Sequence, residues 1–141
     1  MAPPTDTSTS LTEISLAWVA LTGDDRGGAA PDSYQLDYGD GQSGVSSWTP
    51  LQGGTGALST LLSYTLGSLT PGNWYSFRVR AHNVHGWGDY STSSSFQAAQ
   101  APAQPSPAPT TALVDASVRI SWTAPSSNYK TITAYLVEIR D

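Results

Sequence analysis

Period-two alternation of apolar and polar side chains most limits what this chain can become, because successive side chains of a strand point to opposite faces. From Tyr75 onward, Tyr75, Phe77, Val79 and Ala81 fall on one side and Ser76, Arg78, Arg80 and His82 on the other. The segment EISLAWVA sets Ile14, Leu16 and Trp18 on one face, and DSYQLDYGDG sets Tyr34, Leu36 and Tyr38 against Gln35 and Asp37 before it stops at glycine-bearing turn residues. LLSYTLGSL gives a face of Leu62, Tyr64 and Leu66, while SSWTPLQ reads as an edge strand, since Pro50 cannot donate to a ladder. PPTDTST at the start and the Ser/Thr-rich YSTSSSFQA at the end complete seven strands, with HGWGDYS as a glycine-bearing hairpin connection. Turn signals about every eight to twelve residues, with no helical periodicity, predict an all-β fold: a two-sheet antiparallel sandwich ending near Ala99.

Composition agrees and narrows the function. With 141 residues, 38% of them hydrophobic, the chain supports one core of ordinary size and a remainder. Charged residues reach only 12%, beside 13 glycines and 10 prolines, which favours strands and turns over solvated helices. The net charge of -5 leaves no electrostatic footprint for phosphate backbones, so nucleic acid is not an expected partner. The lack of cysteine removes disulfides, thiolate chemistry and thiol-based zinc sites together. MAPPTDTSTS has neither the basic start nor the apolar run of a signal peptide, and no stretch approaches the roughly 18 apolar residues of a membrane span.

The last forty residues repeat the beginning. VRISW (Val118 to Trp122) matches ISLAW (Ile14 to Trp18), and AYLVEI (Ala134 to Ile139) matches SYQLDY (Ser33 to Tyr38). The offsets, about 104 and about 101 residues, equal the length of one sandwich domain. Between the copies, AQAPAQPSPAPTT reads as an extended, moderately stiff linker. The expected organisation is a domain over 1–99, a Pro/Ala-rich linker over 100–110, and the N-terminal strands of a second domain over 111–141, breaking off at Asp141 after a third strand. Such a partial copy leaves Val118, Ile120, Trp122, Tyr135, Val137 and Ile139 with nothing to cover them.

These residues together resemble the fibronectin type III family, with one complete domain followed by the opening of a second. The likeness is carried by Trp18 and Trp122 in the second strand, Tyr34 and Tyr135 in the third, and LTPGNWY. The closing NVHGWGDYS hairpin is similar in style to that of long repeat proteins of ciliates. The resemblance implies a tyrosine corner at Tyr75 and a structural core of Trp18, Tyr34, Leu36, Tyr64, Leu69, Tyr75, Phe77, Val79, Trp122 and Tyr135. GDDRGGAAPD and GGTGALST depart from the family pattern, the second through extra glycine expected to loosen the connection.

Catalytic and metal readings find little support. On a strand, His82 and His85 at i and i+3 point to opposite faces and lack a third ligand nearby in sequence. DYGDGQSG lacks the terminal bidentate Glu of a calcium loop, and Arg26-Gly27 is followed by Gly28, so the integrin tripeptide is absent. The serines have no strand-to-helix elbow. We therefore expect no catalytic residue, no metal and no cofactor. The candidate partner-binding residues are Trp74, Arg78, Arg80, His82, His85 and Trp87, an Arg-aromatic surface with its adjoining loop, suited to a protein or glycan. The expected role is a non-enzymatic structural or scaffold module, extracellular or at the cell surface, whose partners are adjacent domains of its own kind or copies of itself.

Overall fold

The long alternating segments find each other. In the computed structural model, which describes residues 1–54 and 56–139, strand β3 (Ser33–Asp40) pairs antiparallel with β6 (Trp74–Asn83) from Ser33 opposite His82 to Asp40 opposite Tyr75. This register lays Leu36 beside Val79 and Tyr38 beside Phe77 on one face, and Asp37 beside Arg78 and Gln35 beside Arg80 on the other. β4 (Thr49–Gln52) borders β3, and the Pro50 nitrogen, which has no hydrogen to donate, sits on this edge. β7 (Gly86–Trp87) and β8 (Ser94–Gln97) both pair with β6. The second sheet has the order β1-β2-β5, formed by Thr5–Thr9, Ile14–Ala17 and Ser63–Leu66.

The sheets enclose one core of Ile14, Leu16, Trp18, Tyr34, Leu36, Leu69, Tyr75, Phe77, Val79 and Ala98. Both buried tyrosines satisfy their hydroxyls on backbone: Tyr34 Oη accepts from Leu21 N at 3.2 Å and Tyr75 Oη from Thr70 N at 3.0 Å. These strands belong to a unit spanning Met1–Ala98. A second unit begins at Ala99 and contains the hairpin of β9 (Thr110–Val114) and β10 (Ser117–Ser121), turned at Asp115 with φ of 55°.

Several expectations need correction. Gly86–Trp87, expected as part of a hairpin connection, pairs with β6 as the short strand β7, and of the expected last strand YSTSSSFQA only Ser94–Gln97 joins the ladder as β8, so the described residues of that unit hold eight strand segments rather than seven. The chain leaves the ladder between them but stays tied to β6, with Gly88 N donating to Ala81 O and Ser91 N to Val79 O. Ser76 is buried rather than solvent-facing, because residues 41–42 and β8 cover it: its hydroxyl donates to Gly41 O and pairs with Ser95 Oγ, both at 2.7 Å. Gln35 and Asp37 are likewise buried. Tyr64 is half-buried at the edge of its sheet, packed against the core without entering it.

GGTGALST, of which Thr55 lies outside the described residues, is held tightly rather than loosely. Tyr34 N donates to Ser59 O at 2.7 Å and Ser59 N to Ser33 Oγ at 3.0 Å, closing the edge of β3. Gly53, with φ of 68°, passes so close to Tyr34 O that a Cβ would lie 2.0 Å from it. Here glycine permits close approach.

The second unit departs furthest. Trp122 is 38% and Tyr135 44% exposed, so neither is a core residue, although their rings meet at 5.5 Å. Ala134–Ile139 forms no strand, because among the described residues no strand lies beside it to pair with; β3, which it resembles, is held by β4 and β6. The expected end of the copy at Asp141 lies outside the described residues.

Candidate functional site

Arg78 and Arg80 leave β6 on its outer face, where β3 supplies acceptors beneath them. Arg78 Nε and Nη2 donate to Asp37 Oδ2 at 3.3 and 3.1 Å, and Arg80 Nε and Nη2 donate to Gln35 Oε1 at 3.1 and 2.8 Å. Gln35 Nε2 donates in turn to Asp37 Oδ1 at 2.8 Å, which joins both arginines into one network. The Asp37 carboxylate is thus buried but paired and hydrogen-bonded, as a buried charge must be.

Aromatic rings lie against the guanidinium planes. The Arg78 guanidinium carbon is 4.3 Å from the Trp48 ring centroid and 3.8 Å from that of Tyr90; for Arg80 the distances are 4.4 Å to Tyr90 and 4.7 Å to Trp87. Residues two apart on a strand are separated by about 6.8 Å, so Tyr90 lies between the two guanidinium groups. The His82 ring meets Trp87 at 4.8 Å and its Nδ1 lies 2.7 Å from Asp32 Oδ1. The resulting stack runs Trp48, Arg78, Tyr90, Arg80, Trp87, with His82 tilted against its end, and each cation-ring contact contributes about 0.5–1 kcal/mol. Burial pushes the Tyr90 phenol above its ordinary value, and the nearby Asp37 carboxylate adds to this, against the opposing pull of Arg80 and Arg78.

Local backbone chemistry sets the stack in place. Gly86, at φ of 119°, turns the chain back from β6, and the Ser91 hydroxyl accepts from Val79 N at 3.1 Å. Trp87 and Tyr90 are thereby laid across the arginines.

Of the candidate residues, the structure brings together Arg78, Arg80, His82 and Trp87 and leaves out Trp74 and His85. Trp74 shares the outer face but opens β6 opposite Gln97, four residues before Arg78, whose rings are Trp48 and Tyr90 instead. His85 is exposed in the β6–β7 turn, where its amide donates to Asn83 Oδ1. Trp48, Tyr90, Gln35 and Asp37 escaped the sequence reading. For Gln35 and Asp37 the usable signal was register: polar residues on a long strand, facing two arginines on its best-matched partner.

A cleft of about 340 Å³ opens at the end of the first unit, where β6 and β7 meet the 3-10 turn Gly23–Arg26. Leu21, Pro31, Ala81 and Trp87 give it apolar walls, and Asp25, Arg26, His85 and Asp89 stand around them. Asn83 ties the two sides together, Nδ2 donating to Arg26 O at 2.7 Å and to Ala29 O at 3.4 Å. Among the described residues, no three His, Asp or Glu side chains are placed to hold a metal ion.

The model of the fibronectin type III domain matches residues 2–97. The chain belongs to the fibronectin type III family. It is 40% identical over 75 residues to fibronectin type-III domain-containing protein 3a of Gallus gallus, a match that takes in 52% of this chain and 6% of that protein. Among solved structures, it is similar to the sixth fibronectin type III domain of human fibronectin type III domain containing protein 3, with a TM-score of 0.54, 25% identity, and 73% and 89% of the two chains covered. Another fibronectin type III domain, of human fibronectin type III domain containing protein 3, gives a TM-score of 0.51 at 27% identity, covering 68% of this chain and 81% of that one. Fibronectin type III domains are generally structural or binding modules in protein-protein interactions and typically non-enzymatic. No helix among the described residues is long and apolar enough to cross a membrane.

Proposed function

We propose that this chain is a non-enzymatic scaffold segment of a tandem-repeat protein at the cell surface or outside the cell, in which fibronectin type III-like domains mediate protein association or fibre assembly. In this reading 1–99 is one domain, 100–110 is a linker whose last residue already begins β9, and 111–141 opens the next domain. The observation that carries this reading is the second unit. Its hairpin pairs β9 with β10 as β1 pairs with β2, and its apolar side forms an open groove of about 300 Å³ lined by Ile120, Trp122, Tyr135 and Val137. Leaving such side chains in water forgoes about 1.5–3 kcal/mol each, which favours further strands of the same protein as their cover. The denatured mass of the protein from its native source tests this. A mass far above 14.8 kDa, with further repeats in its peptide map, is expected; a 14.8 kDa monomer would sink the reading.

A second reading, recognition of a partner through the 82–89 loop, is favoured by the cleft. The outer face suits a partner less well, because the Tyr90 ring already carries both arginines and the Trp87 ring carries Arg80 and meets the tilted His82 ring. A glycan that stacks on a bare ring would not find those rings bare.

A further inference from the structure

The geometry points to a partner for the end cleft: we propose that it binds a basic segment of another protein, taking a lysine or arginine side chain into its mouth. This rests on the recognition reading of the 82–89 loop and names the chemistry of its partner.

The charge of the first unit is distributed unevenly. Met1–Ala98 contains eight carboxylates, three arginines and no lysine. Arg78 and Arg80 are committed to Asp37 and Gln35 beneath the rings, and Asp37 is buried with them. Seven exposed carboxylates remain, and Arg26 is the one other cationic side chain of the unit. Four of the seven gather at one end: Asp25 and Asp89 line the cleft, Asp24 adjoins Asp25, and Asp32 meets His82. With histidine counted as neutral at pH 7, the cations lining the cleft are Arg26 and the Met1 amino group, and His82 and His85 line it beside them. An incoming cation therefore meets an excess of negative charge there, and steering toward such a cleft raises its local concentration.

Shape adds what charge alone lacks. Leu21, Pro31, Ala81 and Trp87 offer apolar surface to the aliphatic stem of a lysine or arginine, while the carboxylates sit where its charged head would remain hydrated. The walls are held in advance: Asn83 bonds the 23–30 loop to the hairpin, and Trp87 is held by contacts to both Arg80 and His82. A prearranged site loses less entropy on binding.

The test uses the 141-residue chain and three octapeptides in which glycine alternates with lysine, glutamate or serine. Binding is followed by amide chemical shifts at about 50 mM salt, where screening is modest. The lysine peptide is expected to shift Gly27, Gly86 and Gly88. Replacing Asp25 and Asp89 together by asparagine should weaken it about fivefold. Glu13→Gln and Asp40→Asn are exposed controls, Asp40 standing at the far end of β3 from the cleft, and should change binding by less than about twofold. An equal loss in the controls would reduce the effect to diffuse attraction and overturn the proposal. Shifts at the same amides with the glutamate or serine peptide would overturn the basic partner while leaving recognition by the loop intact. Cleft amides unmoved by all three peptides would overturn both.

Discussion

Trp18 and Trp122 close two segments of like sequence, ISLAW and VRISW, yet Trp18 is 5% exposed and Trp122 38%. Tyr34 and Tyr135 differ in the same way, 4% against 44%. The alternating pattern is present in both regions; among the described residues, an opposing sheet is present only in the first. Burial is thus a property of what faces a strand, and a segment with strand chemistry but no partner, such as Ala134–Ile139, is not a strand.

The largest expected effect tests that contrast directly. Phe77 is fully buried between the sheets, and Phe77→Ala should destabilise the first unit by about 3–5 kcal/mol through lost transfer energy and a residual cavity. Trp122→Ala, at an exposed site, should change stability by no more than about 0.5 kcal/mol. Urea unfolding followed by aromatic fluorescence measures both. A loss of several kcal/mol in the Trp122 variant would break the comparison, because it would mean that the apolar side of the second unit is packed in solution.

Within the first unit the contrast recurs between its two layers, one apolar and one built of charges and rings. Arg78→Met keeps an aliphatic stem under Tyr90 but leaves the Asp37 carboxylate, 4% exposed, without its cation. Because Arg78 itself is partly exposed, the loss should be about 2–3 kcal/mol. The double replacement Arg78→Met with Asp37→Leu should recover part of it, since removing both charges removes the unpaired one. If the single variant is neutral, the buried carboxylate is hydrated in solution.

How far the sequence was legible follows from the same distinction. Alternation located β2, β3 and β6 and the inward set Ile14, Leu16, Leu36, Phe77 and Val79, because these choices are written within single strands. It failed at Ser76, whose cover comes from residues 41–42 and β8, far away in the chain. It failed likewise for the stack, which joins Trp48, Tyr90 and β6 through a turn at Gly86 and a departure from the ladder after Trp87. Arg78, Arg80 and Trp87 were visible as candidates, but their mutual satisfaction was not, and that satisfaction moves the favoured recognition surface from the sheet face to the end cleft.

A smaller loss than that of Phe77 or Arg78 is expected at Tyr90, which belongs to a layer that has no counterpart among the described residues of the second unit. Its folded value is raised by burial first and by the Asp37 carboxylate next. An unfolded phenol releases its proton near the ordinary value of 10.0, while the folded one holds it to higher pH. Over that window the native state binds more protons than the unfolded state, so stability must fall as pH rises. The contribution is fully present below about pH 10 and is lost progressively above it. Tyr90→Phe keeps a ring between the guanidinium groups and should change stability at neutral pH by only about 0.5–1 kcal/mol. It should also flatten the alkaline decline and remove one late-titrating phenol from the absorbance at the tyrosinate band. An unchanged late titration in that variant would show that Asp37 and the stack do not act on the Tyr90 hydroxyl, and the two layers of the first unit would then be less tightly coupled than their geometry indicates.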